Sequence, residues 1–211
     1  QLIIWKSIIC QRSLRIILFL KIYIMKLVKS IKYLDKILNR YRSDGFKIHL
    51  TPTMGALHAG HLKLVKESKK LKSIVVVSIF VNPTQFGPKE DYKDYPRTLK
   101  NDLKVLKKYG ADIVFTPIQK QILSHKTKHN CPQFAIEKRL CGKSRPNYFP
   151  GVKNIVLKLF DIVQPDAAFF GEKDYQQYLV IKKMTESLKL NTRIICCLLY
   201  TSDAADDSRG V

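Results

Sequence analysis

The chain is short of acidic residues and has no long apolar segment, and both deficits narrow the class of protein. Only 17 Asp and Glu stand against 38 Lys and Arg, which gives 211 residues a formal net charge of +21. The longest uninterrupted apolar run of the first 24 residues, Ile16 to Leu20, is far too short to cross a bilayer. No small-residue cleavage site follows it, so a secretory signal peptide is not indicated. We therefore expect a cytoplasmic protein that does not act on a membrane.

The cysteines lack the spacing of a disulfide framework or a metal site. They are Cys10, Cys131, Cys141, Cys196 and Cys197. An odd number without a signal peptide favours reduced thiols in a cytosol-like compartment. No Cys or third His stands at ligand spacing from the histidine pair described below, whereas structural zinc usually takes four ligands. The sequence therefore predicts no protein-bound metal site.

The basic surplus by itself would be compatible with a nucleic-acid or membrane partner. The basic residues are mostly Lys, scattered along predicted helices, and no nucleic-acid-binding signature accompanies them. We interpret the charge as a solvated Lys-rich surface and expect no nucleic acid among the partners.

The two ends of the chain differ in composition from its middle. Residues 1–24 are apolar and basic without one acidic residue, and we predict a leader or non-native segment that precedes a native start at Met25. A basic amphipathic targeting helix is the alternative for this segment. Residues 196–211 contain no Lys and three of the 17 acidic residues, and we predict a tail that is not native to the fold. Residues 25–195 then form one domain.

Segments with strand and helix patterns alternate along this domain. Ser73 to Val81 is rich in β-branched residues and apolar on both faces, as in a buried parallel strand. The other predicted strands are Phe46–Thr51, Asp112–Thr116, Asp166–Phe170 and a strand that begins at Arg193–Ile195. The helix that precedes the strand Asp112–Thr116 is predicted to end at Gly110, which would be its C′ residue. Alternation with short links predicts an α/β fold, a Rossmann-like parallel sheet with helices on both faces.

Three turns that follow predicted strands carry polar residues, at 52–61, 82–95 and 171–174. Ligands of open parallel sheets bind beyond the carboxyl ends of the strands. Because all three turns leave such ends, we expect them to form one active site at one rim.

The first of these turns, Pro52-Thr-Met-Gly-Ala-Leu-His-Ala-Gly-His61, joins a strand to a predicted helix. Backbone N–H groups and the positive end of a helix dipole suit a phosphate at such a junction. His58 and His61 lie three residues apart, and their imidazoles can donate to phosphate oxygens as charge shifts onto them. A lone H-x-x-H pair is nevertheless more often a surface or core pair than a site.

The second turn, which leaves the strand as Asn82-Pro-Thr-Gln85, places two amides where they could bind a small hydroxylated acid. The third, Gly171-Glu-Lys-Asp174, offers Lys173 to a phosphate and Asp174 to a helix N-terminus or a ribose hydroxyl. Gln177 follows on the face of Asp174. Taken alone, Asn82 and Gln85 are more commonly a polar turn, and Lys173 and Asp174 could be a surface ion pair.

A further block, Gly142-Lys-Ser-Arg-Pro-Asn-Tyr-Phe-Pro-Gly-Val152, is rich in Gly and Pro and has two basic residues. Arg145 could pair bidentately with a carboxylate, and a solvated loop is the alternative.

In their order and spacing these blocks resemble the pantothenate synthetase (pantoate–β-alanine ligase) family of the H-I-G-H-type nucleotidyltransferase superfamily. The matching blocks are P-T-M-G-A-L-H-A-G-H, F-V-N-P-T-Q-F, Y-P-R-T, R-P-N-Y-F-P-G-V and F-G-E-K-D-Y-Q-Q. The resemblance extends from Met25 to Ile195 and implies a nucleotide-binding ligase domain. It implies an AMP-forming C–N ligase in which pantoate attacks the α-phosphate of ATP. β-Alanine then attacks the pantoyl adenylate, releasing AMP and pantothenate.

The resemblance also implies roles for residues. ATP would contact Met54, Gly55, Ala56, Leu57, His58, Ala59, Gly60, His61, Gly171, Glu172, Lys173 and Asp174. Catalytic roles would fall to His61 as general acid, and to His58 and Lys173 on the phosphates. Pantoate would contact Gln85, Gln177, Arg145, Asn82 and Met54. Mg²⁺ would accompany the triphosphate, and the family's common homodimer would be the assembly.

Two departures from the family pattern matter. The family usually has His at the position of Tyr148, and a phenol can donate a hydrogen bond but cannot carry the charge of an imidazolium. The family's later M-S-S-R-N block and its C-terminal domain are absent from the sequence. We therefore expect a truncated copy with an incomplete ATP site and weak or no turnover.

Two other functions stay open at the level of sequence. The H-x-G-H turn alone would also fit another small-molecule nucleotidyltransferase of the superfamily, although Gln85 and Gln177 favour pantoate. A non-catalytic, basic nucleic-acid-binding relative would reveal itself by an affinity that falls steeply with salt.

Overall fold

The structure of the protein is a computed structural model that describes residues 25–70, 73–87, 90 and 92–198. The predicted leader 1–24 and positions 199–211 of the predicted tail lie outside the described residues. Six parallel strands form one sheet in the order β1-β4-β3-β2-β5-β6. The strands are β1 Lys26–Val28, β2 Ile48–Thr53, β3 Ile74–Ile79, β4 Ile113–Phe115, β5 Ala167–Gly171 and β6 Arg193–Cys197.

Helices connect the strands in the alternation that the sequence predicts. They are α1 Ile31–Ser43, α2 Ala59–Lys70, α3 Leu99–Tyr109, α4 Gln119–Ser124, α5 Cys141–Ser144, α6 Tyr148–Val163 and α7 Tyr175–Ser187. Three 3₁₀ turns lie at Pro83–Gln85, Ala135–Lys138 and Glu172–Asp174. Gly110 ends α3 at φ +83°, which confirms its predicted role as the left-handed residue after the helix.

Both faces of the sheet are covered, as predicted. Successive residues of β3 alternate, so Ile74 and Val76 join the core under α1, α6 and α7. Val75 and Val77 join the core under α2 and α3 on the opposite face. A strand that is apolar on both faces therefore fits only inside a three-layer α/β arrangement, which confirms the Rossmann-like fold class.

Helix α6 begins at Tyr148, inside the block that reads as a Gly- and Pro-rich loop. Pro150 is tolerated there because a proline in the first helical turn has no intrahelical N–H bond to lose. The strand β1, the short helix α4 and the one-turn helix α5 carry too little periodicity to be predicted. β6 continues to Cys197, two residues beyond the boundary that composition suggests.

Within the part of the chain that the structure describes, no helix combines the length and apolar character needed to cross a membrane. The cysteines at 131, 141, 196 and 197 are free thiols.

Candidate active site

Three turns meet at one rim of the sheet, as the positions of the strand ends predict. The chain runs from β2 outward to β3 and β4 and then returns to β5 on the other side of β2, so the strand order reverses between β2 and β5. Leu50 pairs with Ala168, and continuing this register sets Thr53 beside Gly171. Adjacent strands lie about 4.8 Å apart. The turns after β2 and β5 therefore flank the crevice where open α/β sheets bind ligands.

The histidine turn forms the N-terminus of α2. The carbonyl of His58 accepts from Leu62 N, and its Nδ1 accepts from Gly60 N at 3.0 Å, so His58 caps the helix. Because Nδ1 is an acceptor, the proton of the neutral ring sits on Nε2, which is left as a donor. The rings of His58 and His61 lie side by side with centroids 4.1 Å apart. The structure thus brings both predicted imidazoles together at a helix N-terminus.

The backbone between β2 and α2 adopts conformations that few residues tolerate. Gly55 has φ +86° and Ala56 has φ +49°. A Cβ on Gly55 would lie 3.1 Å from Ile79 Cγ2 and 3.2 Å from Asp102 Oδ2, so the position has neither the dihedral nor the space for a side chain. A non-glycine residue held at positive φ stores strain of about 1 kcal/mol or more, which neighbouring contacts must offset.

Asp102 supplies those contacts, and sequence reasoning missed it. Its side chain on α3 is buried, and its two carboxylate oxygens accept from Leu57 N at 3.0 Å and from Ala56 N at 3.2 Å. The hydroxyl of Thr98 donates to both oxygens at 3.2 Å. The Y-P-R-T block, which ends at Thr98, was the one available signal for this contact. Asp102 therefore fixes the shape of the histidine turn from outside it.

The predicted amide pair Asn82 and Gln85 is buried at the end of β3. Asn82 Nδ2 donates to Gln85 Oε1 at 3.1 Å and to the carbonyl of Gly151 at 3.2 Å. Asn82 Oδ1 accepts from Thr84 N and so begins the 3₁₀ turn Pro83–Gln85. Asn82 therefore positions Gln85 and ties the turn to α6.

Replacing Gly151 with alanine is expected to separate α6 from this turn. A Cβ at Gly151 would lie 2.5 Å from the Thr84 carbonyl oxygen and 2.7 Å from Gln85 N, and backbone atoms cannot rotate away. We expect the free energy of unfolding to fall by about 2 kcal/mol, within the range for overpacking. Denaturant titration measures this change. Gly87→Ala is the matched control, since its Cβ would meet only Glu90 side-chain atoms, at 3.8 Å or more. Equal losses of stability in the two variants would contradict the close packing of Gly151 on the Thr84–Gln85 backbone.

The remaining substrate candidates lie on α5–α6 and α7. Tyr148 Oη donates to Gln177 Oε1 at 3.0 Å, and the guanidinium of Arg145 lies 4.1 Å from the centroid of the Tyr148 ring. Arg145 is not a free guanidinium. It forms a two-bond fork with Glu90, and this hydrogen bonding lowers the pKa of the Glu90 carboxyl. Arg145 and Gln177 thus both contact Tyr148, and Arg145 already binds a carboxylate.

The charged residues of the third turn lie at the surface. Glu172, Lys173 and Asp174 are exposed in the 3₁₀ turn that leads into α7. Asp174 stands at the N-cap position, as predicted, but its side chain makes no capping hydrogen bond. Among the described residues, no three His, Cys, Asp or Glu side chains come together as a group that could hold a metal ion.

Two concavities lie away from this rim. One of about 440 Å³ is lined by residues that precede β5 and β6, including Asp166 and Thr192, at the amino ends of the strands. The other, about 640 Å³, lies beside the start of α1. Neither contains a predicted site residue, and neither combines a helix N-terminus with paired imidazoles. The carboxyl rim is therefore the candidate functional site on chemical grounds.

The reversal of strand order, the glycine-containing turn and the helix-capping histidines together define a Rossmann-like domain of the nucleotide-binding class.

The family model described as pantoate-beta-alanine ligase matches residues 26–205. The pantothenate synthetase of Acetivibrio thermocellus is 48% identical over 189 residues, which are 89% of this chain and 67% of that protein. The pantothenate synthetase of Acinetobacter baumannii is 49% identical over 172 residues, 81% of this chain and 61% of that protein.

Solved structures agree with the sequence relatives. The pantothenate synthetase of Thermus thermophilus superimposes with a TM-score of 0.78 at 36% identity, covering 85% of this chain and 63% of that one. The pantoate-beta-alanine ligase of Francisella tularensis, solved with β,γ-ATP and β-alanine, gives 0.78 at 40% identity, covering 85% and 69%. The chain belongs to the pantoate–β-alanine ligase family. It spans about 61–67% of the length of these curated relatives.

Proposed function

We propose that the chain serves the ATP-dependent condensation of pantoate and β-alanine to pantothenate, with pantoyl adenylate as the intermediate. The observation that carries the proposal is the histidine turn at the switch point of the sheet, capped by His58 and fixed by Asp102. The relative solved with β,γ-ATP and β-alanine shares this fold and 40% of its sequence, which supports the same two substrates here.

The first step needs the repulsion between an attacking carboxylate and a polyphosphate to be screened. The N-terminus of α2, His58 Nε2–H and the Lys173 ammonium would supply positive charge and donors to the phosphates. His61, beside His58, would act as general acid and protonate the leaving pyrophosphate as its charge develops. Asp174 would accept from a ribose hydroxyl, and the backbone from Met54 to Gly60 would lie along the nucleotide.

Gln85 and Gln177 would hold pantoate, because amides can donate to a carboxylate and pair with hydroxyls at the same time. Asn82 would position Gln85, and Arg145 would line this part of the site while bound to Glu90. β-Alanine would then attack the acyl carbon of the adenylate with its amine, and AMP would leave.

Mg²⁺ commonly binds through one or two carboxylates, several waters and the substrate phosphates. The metal would be held chiefly by the triphosphate, as the resemblance to the family implies. Bound there, it would offset the charge of the phosphates. We also propose that the protein acts in the cytoplasm as a homodimer, as the family resemblance implies.

Exchange of labelled pyrophosphate into ATP tests the first step directly. Given the weak turnover that the sequence predicts, we expect slow exchange that occurs only when pantoate is present. Replacement of His61 with alanine should reduce its rate about 100-fold, the loss of one general acid. His129→Ala is the matched control, because His129 is exposed and lines the concavity at the opposite rim. Exchange that proceeds equally well with other acids would favour another nucleotidyltransferase of the superfamily. Exchange that ignores His61 would refute the assigned role.

A further inference from the structure

The hydroxyl of Tyr148, at the first residue of α6, donates to Gln177 Oε1 on α7 at 3.0 Å. We propose that Tyr148 is a positioning residue, which orients the Gln177 side chain so that its amide NH₂ faces the acid substrate. The inference rests on the proposed function, since it deepens the role of Gln177 in holding pantoate. It concerns the orientation of one amide and involves no contact between Tyr148 and the reacting atoms.

A glutamine amide has an acceptor end and a donor end of nearly the same shape. Rotation by half a turn about its terminal torsion exchanges them, and this torsion has only broad, roughly two-fold preferences. In the structure the phenol hydroxyl donates to Oε1, which is the orientation that leaves the NH₂ group of the amide for a ligand. The NH₂ group that remains can donate to the carboxylate or hydroxyl oxygens of a hydroxy acid. An unfixed amide would spend part of its time presenting its oxygen, which repels a carboxylate.

The phenol itself is held on several sides. The guanidinium of Arg145 lies over the ring at 4.1 Å, and the ring of Phe149 meets it edge to face at 5.0 Å. Arg145 is in turn anchored by its fork with Glu90, in the loop that follows β3. A continuous series of contacts therefore runs from that loop through Arg145 and Tyr148 to Gln177.

Tyr148 remains a donor over the physiological pH range. Burial, and next the charge of Asp174, raise the pKa of Tyr148 to about 12. Arg145 opposes this shift, while Cys141 and Glu90 add to it. An imidazole, which the family resemblance places at this position, would titrate near pH 6.5. Tyrosine therefore removes a titrating group from the pantoate side of the site.

Pantoate binding to the full chain, measured by calorimetry between pH 5.5 and 8.5, tests the inference. Tyr148→Phe keeps the ring but lacks the donor, and we expect the Kd to rise roughly fivefold, the size of one net hydrogen bond. Tyr148→His should recover most of this loss. The ratio of its Kd to the wild-type Kd should also change with pH near 6.5. Tyr178→Phe is the matched control, because it removes a hydroxyl from the next residue of α7.

Equal Kd values for the wild type and Tyr148→Phe would overturn the inference while leaving the proposed function intact. No pantoate binding by the wild type would instead sink the proposed function, and with it the substrate role of Tyr148. The side-chain amide signal of Gln177 in ¹⁵N NMR spectra of the ligand-free protein separates the two cases. It should shift in Tyr148→Phe and stay in place in Tyr178→Phe, whereas an unchanged signal in both would disprove the positioning contact itself.

Discussion

Replacing Asp102 with alanine is expected to lower the free energy of unfolding by about 3 kcal/mol, because each donor left without its acceptor costs about 1–3 kcal/mol. The donors concerned are the N–H groups of Ala56 and Leu57 and the hydroxyl of Thr98. Those bonds also hold Ala56 at positive φ, so their loss should release the histidine turn. We expect ATP to bind at least tenfold more weakly, as measured by calorimetry alongside denaturant titration.

Asp35→Ala is the matched control for this substitution. Asp35 is exposed on α1 and accepts from Asn39 one turn further along the same helix. An exposed contact of this kind is expected to change stability by no more than about 0.5 kcal/mol. If Asp102→Ala lost stability but kept full ATP affinity, the turn would not depend on Asp102 for its binding shape. Our account of how the site is held would then be wrong.

Glu137 forms a buried ion pair with Lys153 of α6. Replacing Glu137 with alanine should destabilise the protein by about 3–5 kcal/mol, the cost of leaving the Lys153 charge without its partner. Lys153 is only 2% exposed and Glu137 6%, and Lys153 also donates to the carbonyl of Pro132. Glu137 additionally accepts from Phe134 N at 2.8 Å. Thermal and denaturant unfolding would both report the loss.

The effect should extend to the substrate side of the site. Gln176 on α7 donates to the carbonyls of Ile136 and Arg139, in and after the 3₁₀ turn that contains Glu137. It also accepts from Cys141 N, at the start of the short helix α5 that precedes Arg145. We therefore expect weaker pantoate binding as well.

A double variant separates the buried charge from the packing around it. Glu137→Gln with Lys153→Met removes both charges while an amide oxygen still accepts from Phe134 N. It should be clearly more stable than Glu137→Ala, as expected when both members of a buried pair are replaced together. Glu186→Ala, at an exposed position of α7, should be close to neutral. A double variant no more stable than Glu137→Ala would show that packing, and not an uncompensated charge, sets the loss.

Much of the fold could be predicted from the sequence, because a strand's apolar pattern shows how many of its faces are buried. The run around Val75 and Val76 is apolar on both faces, which only a sheet covered by helices on both sides allows. Gly110 marked a helix end because few other residues take its left-handed conformation. The three turns could be brought together in advance, because parallel strands all end at one rim.

The part of the site that could not be predicted from the sequence consists of contacts between residues far apart in the chain. Asp102 reads as one more polar residue of a surface helix, and only the packing of α3 against α2 brings its carboxylate to backbone N–H groups about 45 residues earlier. Arg145 was recognisable as a carboxylate partner, but nothing in its own block indicates that Glu90 occupies it. The bond from Tyr148 to Gln177 likewise depends on how α6 and α7 meet.

Titration of the ¹⁵N-labelled chain with a non-hydrolysable ATP analogue tests the central claim most directly, since it compares the carboxyl rim with a concavity at the opposite rim. We predict that the amide signals of Gly55, Gly60 and Gly171 shift together with one apparent Kd. The amides of Gln164 and Asn191, which line the cavity of about 440 Å³ at the opposite rim, should not move. Shifts confined to Gln164 and Asn191, or no shifts at the three glycines, would contradict a nucleotide site at the carboxyl ends of the strands.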